Sequence, residues 1–112
     1  MSVTIYHNPK CSKSRQTLQL LEKNGVKPEI VLYLDKPPSV AEFKELLAKL
    51  GLEAKDVLRQ SEGREAGLTR DMAPDALIKG MIANPRAIER PIVVKGGQAV
   101  LGRPPENVLD LI

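Results

Sequence analysis

Cysteine occurs once in this chain, at Cys11, within the stretch Tyr6-His7-Asn8-Pro9-Lys10-Cys11-Ser12-Lys13-Ser14-Arg15. Lys10, Lys13 and Arg15 crowd it, and no Asp or Glu occurs before Glu22. A thiolate, not a thiol, is the reactive form of cysteine, and nearby positive charge favours the anion. Such a field also draws in anionic substrates. The spacing excludes two familiar cysteine chemistries. A C-x-x-C dithiol would need a second cysteine at position 14, which is Ser14, and a C-x-x-x-x-x-R phosphate loop would need an arginine at position 17, which is Thr17. The commoner fate of a lone cysteine is to fill space as a small apolar side chain. A polar, basic loop preceded by proline is a poor setting for that role.

The elements that would position Cys11 follow from local pattern. Val3-Thr4-Ile5-Tyr6 reads as a strand ended by the turn-prone Asn8-Pro9. Ser12 or Cys11 then caps a helix that runs to Lys23, with Thr17, Leu18, Leu20 and Leu21 on its apolar face and Asn24-Gly25 as a left-handed stop. This puts Cys11 at a helix N-terminus, where free amides and the helix dipole favour a thiolate. Glu29–Leu34 reads as a second strand, continuous enough in apolar residues to be an interior strand covered on both faces.

After Lys36-Pro37-Pro38, the S-x-x-E spacing of Ser39 to Glu42 predicts a capping box. The helix behind it carries Val40, Phe43, Leu46, Leu47 and Leu50 on one face and ends at Gly51. Glu53 to Arg59 reads as a short helical piece, and Gln60 to Arg70, with Gly63 and Gly67, as a polar loop. Pro74 opens a further helix with Leu77, Ile78, Met81 and Ile82 as its stripe, stopped by Asn84-Pro85. Ile92-Val93-Val94 and Ala99-Val100-Leu101 flank a glycine turn as a β-hairpin, and a short helix through Val108, Leu109 and Ile112 follows. A βαβ half, helical material and a ββα half make an α/β, thioredoxin-like mixed sheet covered by helices with a helical insertion. Residues 1–112 are read as one domain.

Composition narrows the partners. The chain has 42% apolar and 28% charged residues, suited to one modest core, and carries a net charge of +3. With Phe43, Tyr6 and Tyr33 as its aromatics, it lacks a base-stacking platform, so a small anion is expected as ligand and nucleic acid is not. No apolar run approaches bilayer-spanning length and the N-terminus lacks the pattern of a signal peptide, so the chain is expected in the cytoplasm and off the membrane. One cysteine forms no internal disulfide, and any redox role needs an external partner.

Several separated motifs, in order, carry a resemblance. His7-Asn8-Pro9-Lys10-Cys11-Ser12-Lys13-Ser14-Arg15, then L-Y-L-D-K-P-P-S, D-V-L-R-Q, E-R-P-I-V-V and G-R-P-P-E, resemble the glutaredoxin-coupled arsenate reductase family across nearly the whole chain. The resemblance implies a thioredoxin-like fold, Cys11 as nucleophile, and Arg59, Arg90 and Arg103 as oxyanion ligands. It places His7 near the thiol, with Ser14 and Arg15 in the active loop and Pro91 matching the cis-proline that such folds set beside it. Glutathione is implied as co-substrate and glutaredoxin as partner, with no bound cofactor and no metal, and a monomer is expected. Three arginines suit the chemistry, because guanidinium forks grip two oxygens each and offset charge that would repel a thiolate. Arg64, Arg70 and Arg86 are expected on solvated surface.

The chain departs from the pattern of the best-known reductases in two places. Ser12 and Lys13 stand where C-G-T-S-R has glycine and threonine, and the sequence stops at Leu111-Ile112 without their C-terminal tail. Two alternatives therefore stand beside arsenate reduction. One is a thiol-stress transcription regulator of the same fold that binds RNA polymerase, although Ser14 removes its usual C-x-x-C switch. The other is a family member acting on a different oxyanion or thiol-reactive substrate.

Overall fold

The computed structural model describes residues 2–112. The chain through Tyr33 forms one compact unit with Arg90–Ile112, and Leu34–Glu89 forms a second.

The first unit is built on β1 (Val3–Tyr6), α1 (Ser12–Lys23), β2 (Glu29–Val31), β3 (Ile92–Lys95) and β4 (Gln98–Leu101), closed by a 3-10 helix at Pro105–Asp110. Its four strands lie in the order β2-β1-β3-β4. β2 runs parallel to β1, while β3 is antiparallel to both β1 and β4, so the sheet is mixed as the element order predicts. Alternation along β1 turns Val3 and Ile5 to one face, where they meet Leu21 of α1, Val93 of β3, and Val108 and Leu111 from the C-terminal segment. Leu18 and Leu20 pack at the margin of this cluster, and Thr17, predicted on the same stripe, is fully buried.

The prediction for β2 is corrected. The strand covers Glu29–Val31, not Glu29–Leu34, and it lies at the edge of the sheet. Ile30 is 47% and Leu32 41% exposed, which rules out an interior strand covered on both faces. A run of apolar residues cannot reveal how many neighbours its strand has. Here the interior positions belong to β1, between β2 and β3, and to β3, between β1 and β4.

The second unit is helical: α2 (Val40–Leu50), a 3-10 helix at Ala54–Val57, α3 (Gln60–Glu65), α4 (Pro74–Ala83) and a 3-10 turn at Pro85–Ala87. The capping box forms as predicted: the Glu42 amide donates to Ser39 Oγ at 3.1 Å, and the Ser39 amide donates to Glu42 Oε1 at 3.0 Å. α2 buries Phe43, Leu46 and Leu47, and α4 buries Leu77, Ile78 and Met81. Gln60–Glu65 is a helix, which corrects the loop predicted over Gln60 to Arg70. Gly63 weakens the helical signal in sequence, yet its missing side chain lets Leu58 pack closely against the helix. A Cβ at that position would stand 2.9 Å from Leu58 Cδ1. Gly67, at φ +76°, then turns the chain so that the Leu68 amide reaches the Gly63 carbonyl at 2.7 Å.

Candidate active site

The approach to Cys11 is a sequence of short-range bonds. The His7 amide prolongs the β1 pairing by donating to the Val31 carbonyl at 2.9 Å. Asn8 then organises the turn: its carbonyl accepts from the Cys11 amide at 3.0 Å and its side-chain oxygen from the Lys10 amide at 3.0 Å. Arg15, exposed, folds back to donate to the Pro9 carbonyl at 2.8 Å. Of the two caps that the sequence offered, Ser12 and Cys11, the N-cap residue of α1 is Cys11, in extended conformation at φ −94° and ψ 123°. Its partly buried sulfur stands where a capping Ser or Asp would place an acceptor oxygen for the first-turn amides.

Electrostatics at the sulfur are a balance. Burial alone would raise the thiol pKa. The Ser14 amide, the Arg90 guanidinium and the Lys13 amide together outweigh burial and hold it below the ordinary thiol value. Arg103 Nη1 lies 3.9 Å from the sulfur and donates to the Arg90 carbonyl at 3.1 Å. The Arg90–Pro91 peptide is cis, and so is Arg103–Pro104, for which the sequence offered no separate cue.

His7 and Ser14 are both buried, and His7 Nδ1 lies 2.6 Å from Ser14 Oγ, which also accepts from the Asn8 amide at 3.0 Å. Burial, and secondarily the Arg15 charge, push the His7 pKa below its usual value. The lowered value favours the neutral ring. Its visible bond is to the serine in the place where a dithiol enzyme has its second cysteine.

Arg59 belongs to the second unit. Its amide donates to the Ala87 carbonyl at 2.8 Å, and an isolated antiparallel bridge joins Leu58 to Ile88. The half-buried guanidinium bonds Glu62 Oε2 through Nε at 3.1 Å and lies 3.8 Å, through Nη1, from Glu89 Oε2. These two carboxylates were not singled out in the sequence, although the spacing of Arg59 and Glu62 suits a helical ion pair. The Glu62 pKa falls to about 2, chiefly through the Ser61 hydroxyl, with Arg59 contributing. Arg64, Arg70 and Arg86 are exposed, as expected.

Comparison with known proteins settles the family. The sequence matches the ArsC family over residues 6–111. A relative from Neisseria meningitidis serogroup A, named arsenate reductase, is 44% identical over 95% of this chain and 94% of its own length.

The chain belongs to the ArsC family.

A further relative, the uncharacterized protein YfgD of Escherichia coli (strain K12), is 50% identical over 98% of this chain and 96% of its own. A solved structure described as arsenate reductase from Vibrio cholerae superposes with a TM-score of 0.93 at 50% identity, covering 100% of this chain and 98% of that one. The thioredoxin-like fold predicted from element order is thus the fold of the ArsC family.

Proposed function

We propose that this chain reduces arsenate to arsenite with electrons from glutathione, through a covalent adduct on Cys11. The observation that carries the proposal is the sulfur itself: a thiol at the N-cap position of α1 with a depressed pKa, flanked by Arg90 and Arg103. Similarity to relatives named arsenate reductase supports the choice of oxyanion.

In the proposed reaction the Cys11 thiolate attacks arsenic and expels one oxygen as water after protonation, which forms the sulfur–arsenic bond. The guanidinium groups of Arg90 and Arg103 offset the negative charge that would otherwise oppose this attack. A glutathione thiolate next attacks the Cys11 sulfur. The sulfur–arsenic electron pair leaves with arsenic, which becomes arsenite, and a mixed disulfide of Cys11 with glutathione remains. Two sulfurs each lose one electron and arsenic gains two. Glutaredoxin then takes the glutathione and restores the thiolate, a step that needs an outside thiol because Cys11 is the sole cysteine. The protein is proposed to act as a cytoplasmic monomer without a bound cofactor, and in a cell this activity would confer arsenic resistance.

For Arg59, the support for an oxyanion role is the family resemblance and not its surroundings, which are carboxylates. Turnover tests the whole reading. Purified protein with arsenate, glutathione, glutaredoxin, glutathione reductase and NADPH should oxidise NADPH in proportion to enzyme. No oxidation above the enzyme-free rate, with Cys11 still alkylatable, would sink it.

A further inference from the structure

Thr17 sits on α1 six positions after Cys11 and is fully buried. Its hydroxyl has two acceptors in reach: the Lys13 carbonyl at 2.8 Å, one helical turn back, and the Gly102 carbonyl at 3.2 Å, 85 positions away in sequence. The first is the ordinary resting place of a helical threonine hydroxyl. The second ties the cysteine-bearing helix to the residue immediately before Arg103. The Gly102 amide in turn donates to the Pro91 carbonyl at 2.9 Å, and Pro91 immediately follows Arg90. The fit is close on every side. A Cβ on Gly102 would meet Thr17 Oγ1 at 2.6 Å, Pro91 Cγ at 2.8 Å and Thr17 Cγ2 at 2.9 Å.

We infer that Thr17 is a positioning residue for the active site: through the Gly102 carbonyl its hydroxyl sets Arg103 beside the Cys11 sulfur. The inference rests on the proposed role of the Cys11 site, and it deepens that role by naming what holds the cation in place. Gly102 is the hub, since one peptide unit on either side of its Cα bonds Pro91 and Thr17. Absence of a side chain is what lets α1 and the Pro91 segment approach it together. The hydroxyl and the missing Cβ therefore act on one coordinate, the position of the Gly102-Arg103 peptide against α1.

The test reads charge at the sulfur without requiring arsenate. Cys11 is alkylated in parallel by iodoacetate, an anion, and by iodoacetamide, its neutral counterpart, and the ratio of rates reports the positive potential at the thiol. Arg103→Ala should lower the ratio about fivefold, the factor that one unit charge about 4 Å away supplies at a water-like dielectric. Thr17→Val keeps the shape, removes the hydroxyl, and should lower the ratio at least about twofold, taking a share of the same charge effect. Thr17→Ser should match the parent. Combining Thr17→Val with Arg103→Ala should give no loss beyond Arg103→Ala alone, because Thr17 acts through Arg103.

A valine variant with a lowered melting temperature but an unchanged ratio would make Thr17 a packing residue and overturn the inference. Full additivity in the double variant would overturn it as well, and so would a ratio insensitive to Arg103→Ala. If the valine variant fails to fold, Gly102→Ala takes its place under the same expectations, because its methyl group would push the Arg103 segment away from α1. Arsenate turnover is measured on the same samples. Its absence with the ratios as expected would remove the arsenate reading and leave the role of Thr17 standing.

Discussion

Arginine appears in both units of this protein, in opposite company. Arg103, in the sheet unit, donates to a backbone carbonyl and stands 3.9 Å from a sulfur whose pKa is held below the ordinary thiol value. Arg59, in the helical unit, lies against the carboxylates of Glu62 and Glu89. A carbonyl accepts from a guanidinium without bringing a countercharge. Two carboxylates bring one each. Basic residues predicted for one role on the strength of type alone thus start from different electrostatic positions, and the difference is set by what each backbone segment carries beside them.

Loss of the proposed nucleophile should be the largest effect. Cys11→Ser is expected to abolish arsenate reduction while leaving the circular dichroism spectrum and melting temperature close to the parent's, since an alcohol forms neither the arsenic adduct nor the mixed disulfide. Turnover retained by that variant would break the distinction between the two units at its root.

Core truncations come next. Phe43→Ala in the helical unit is expected to cost about 3–5 kcal/mol, and Leu21→Ala in the sheet unit about 2–5 kcal/mol, both side chains being fully buried. Chemical denaturation should show each shifting one common transition, as expected if residues 1–112 fold as one domain. Two separated transitions, each moved by only one of the substitutions, would show the units to be independent.

Smaller effects sharpen the arginine comparison. Arg90→Ala and Arg103→Ala should each lower kcat/KM for arsenate roughly ten- to a hundredfold, the worth of a charge-assisted contact, with lysine restoring only part. Arg64→Ala and Arg70→Ala should leave it unchanged. Because its folded pKa is depressed, Cys11 should be alkylated by iodoacetamide with a midpoint below about 8.5, the free-thiol value. A midpoint at or above that value would mean that burial wins over the amides and Arg90.

The smallest effect belongs to the carboxylate pair. Glu62→Gln should change stability by no more than about 1 kcal/mol at pH 7, as befits a partly exposed ion pair. Its pKa is lowered on folding, so whatever it contributes is complete above the unfolded value of about 4.3 and is lost as pH falls toward about 2. A urea titration of parent and variant between pH 7 and pH 2 should therefore converge at the acid end. Divergence there would place the ion pair elsewhere.

Local chemistry made much of this protein legible in its sequence. The Ser39 to Glu42 spacing, Pro74 at a helix start, Gly51 at a helix end and the glycine turn between β3 and β4 all act within a few residues, so each reads correctly from its own neighbourhood. Cys11 at the helix N-terminus is of the same kind, because the turn-prone Asn8-Pro9 and the apolar spacing beyond it bracket the cap. What failed depended on neighbours distant in sequence or on packing. The Glu29–Leu34 run could not disclose that β2 lies at the sheet edge, and Gly63 reads as a helix breaker until Leu58 Cδ1 is seen to lie 2.9 Å from where its Cβ would be.

The same division runs through the site. By residue type and motif, the sequence alone put a single thiol in a basic loop, and it nominated that thiol and three arginines as the candidate site. Only the tertiary structure decided that Arg59 also meets Glu89, that His7 is buried on Ser14, and that Thr17 bonds a carbonyl 85 positions away. The physical reason is range: caps, turns and helix dipoles are fixed by bonds between residues a few positions apart, whereas the charge an arginine presents and the pKa a histidine adopts depend on groups that folding alone brings within a few ångströms.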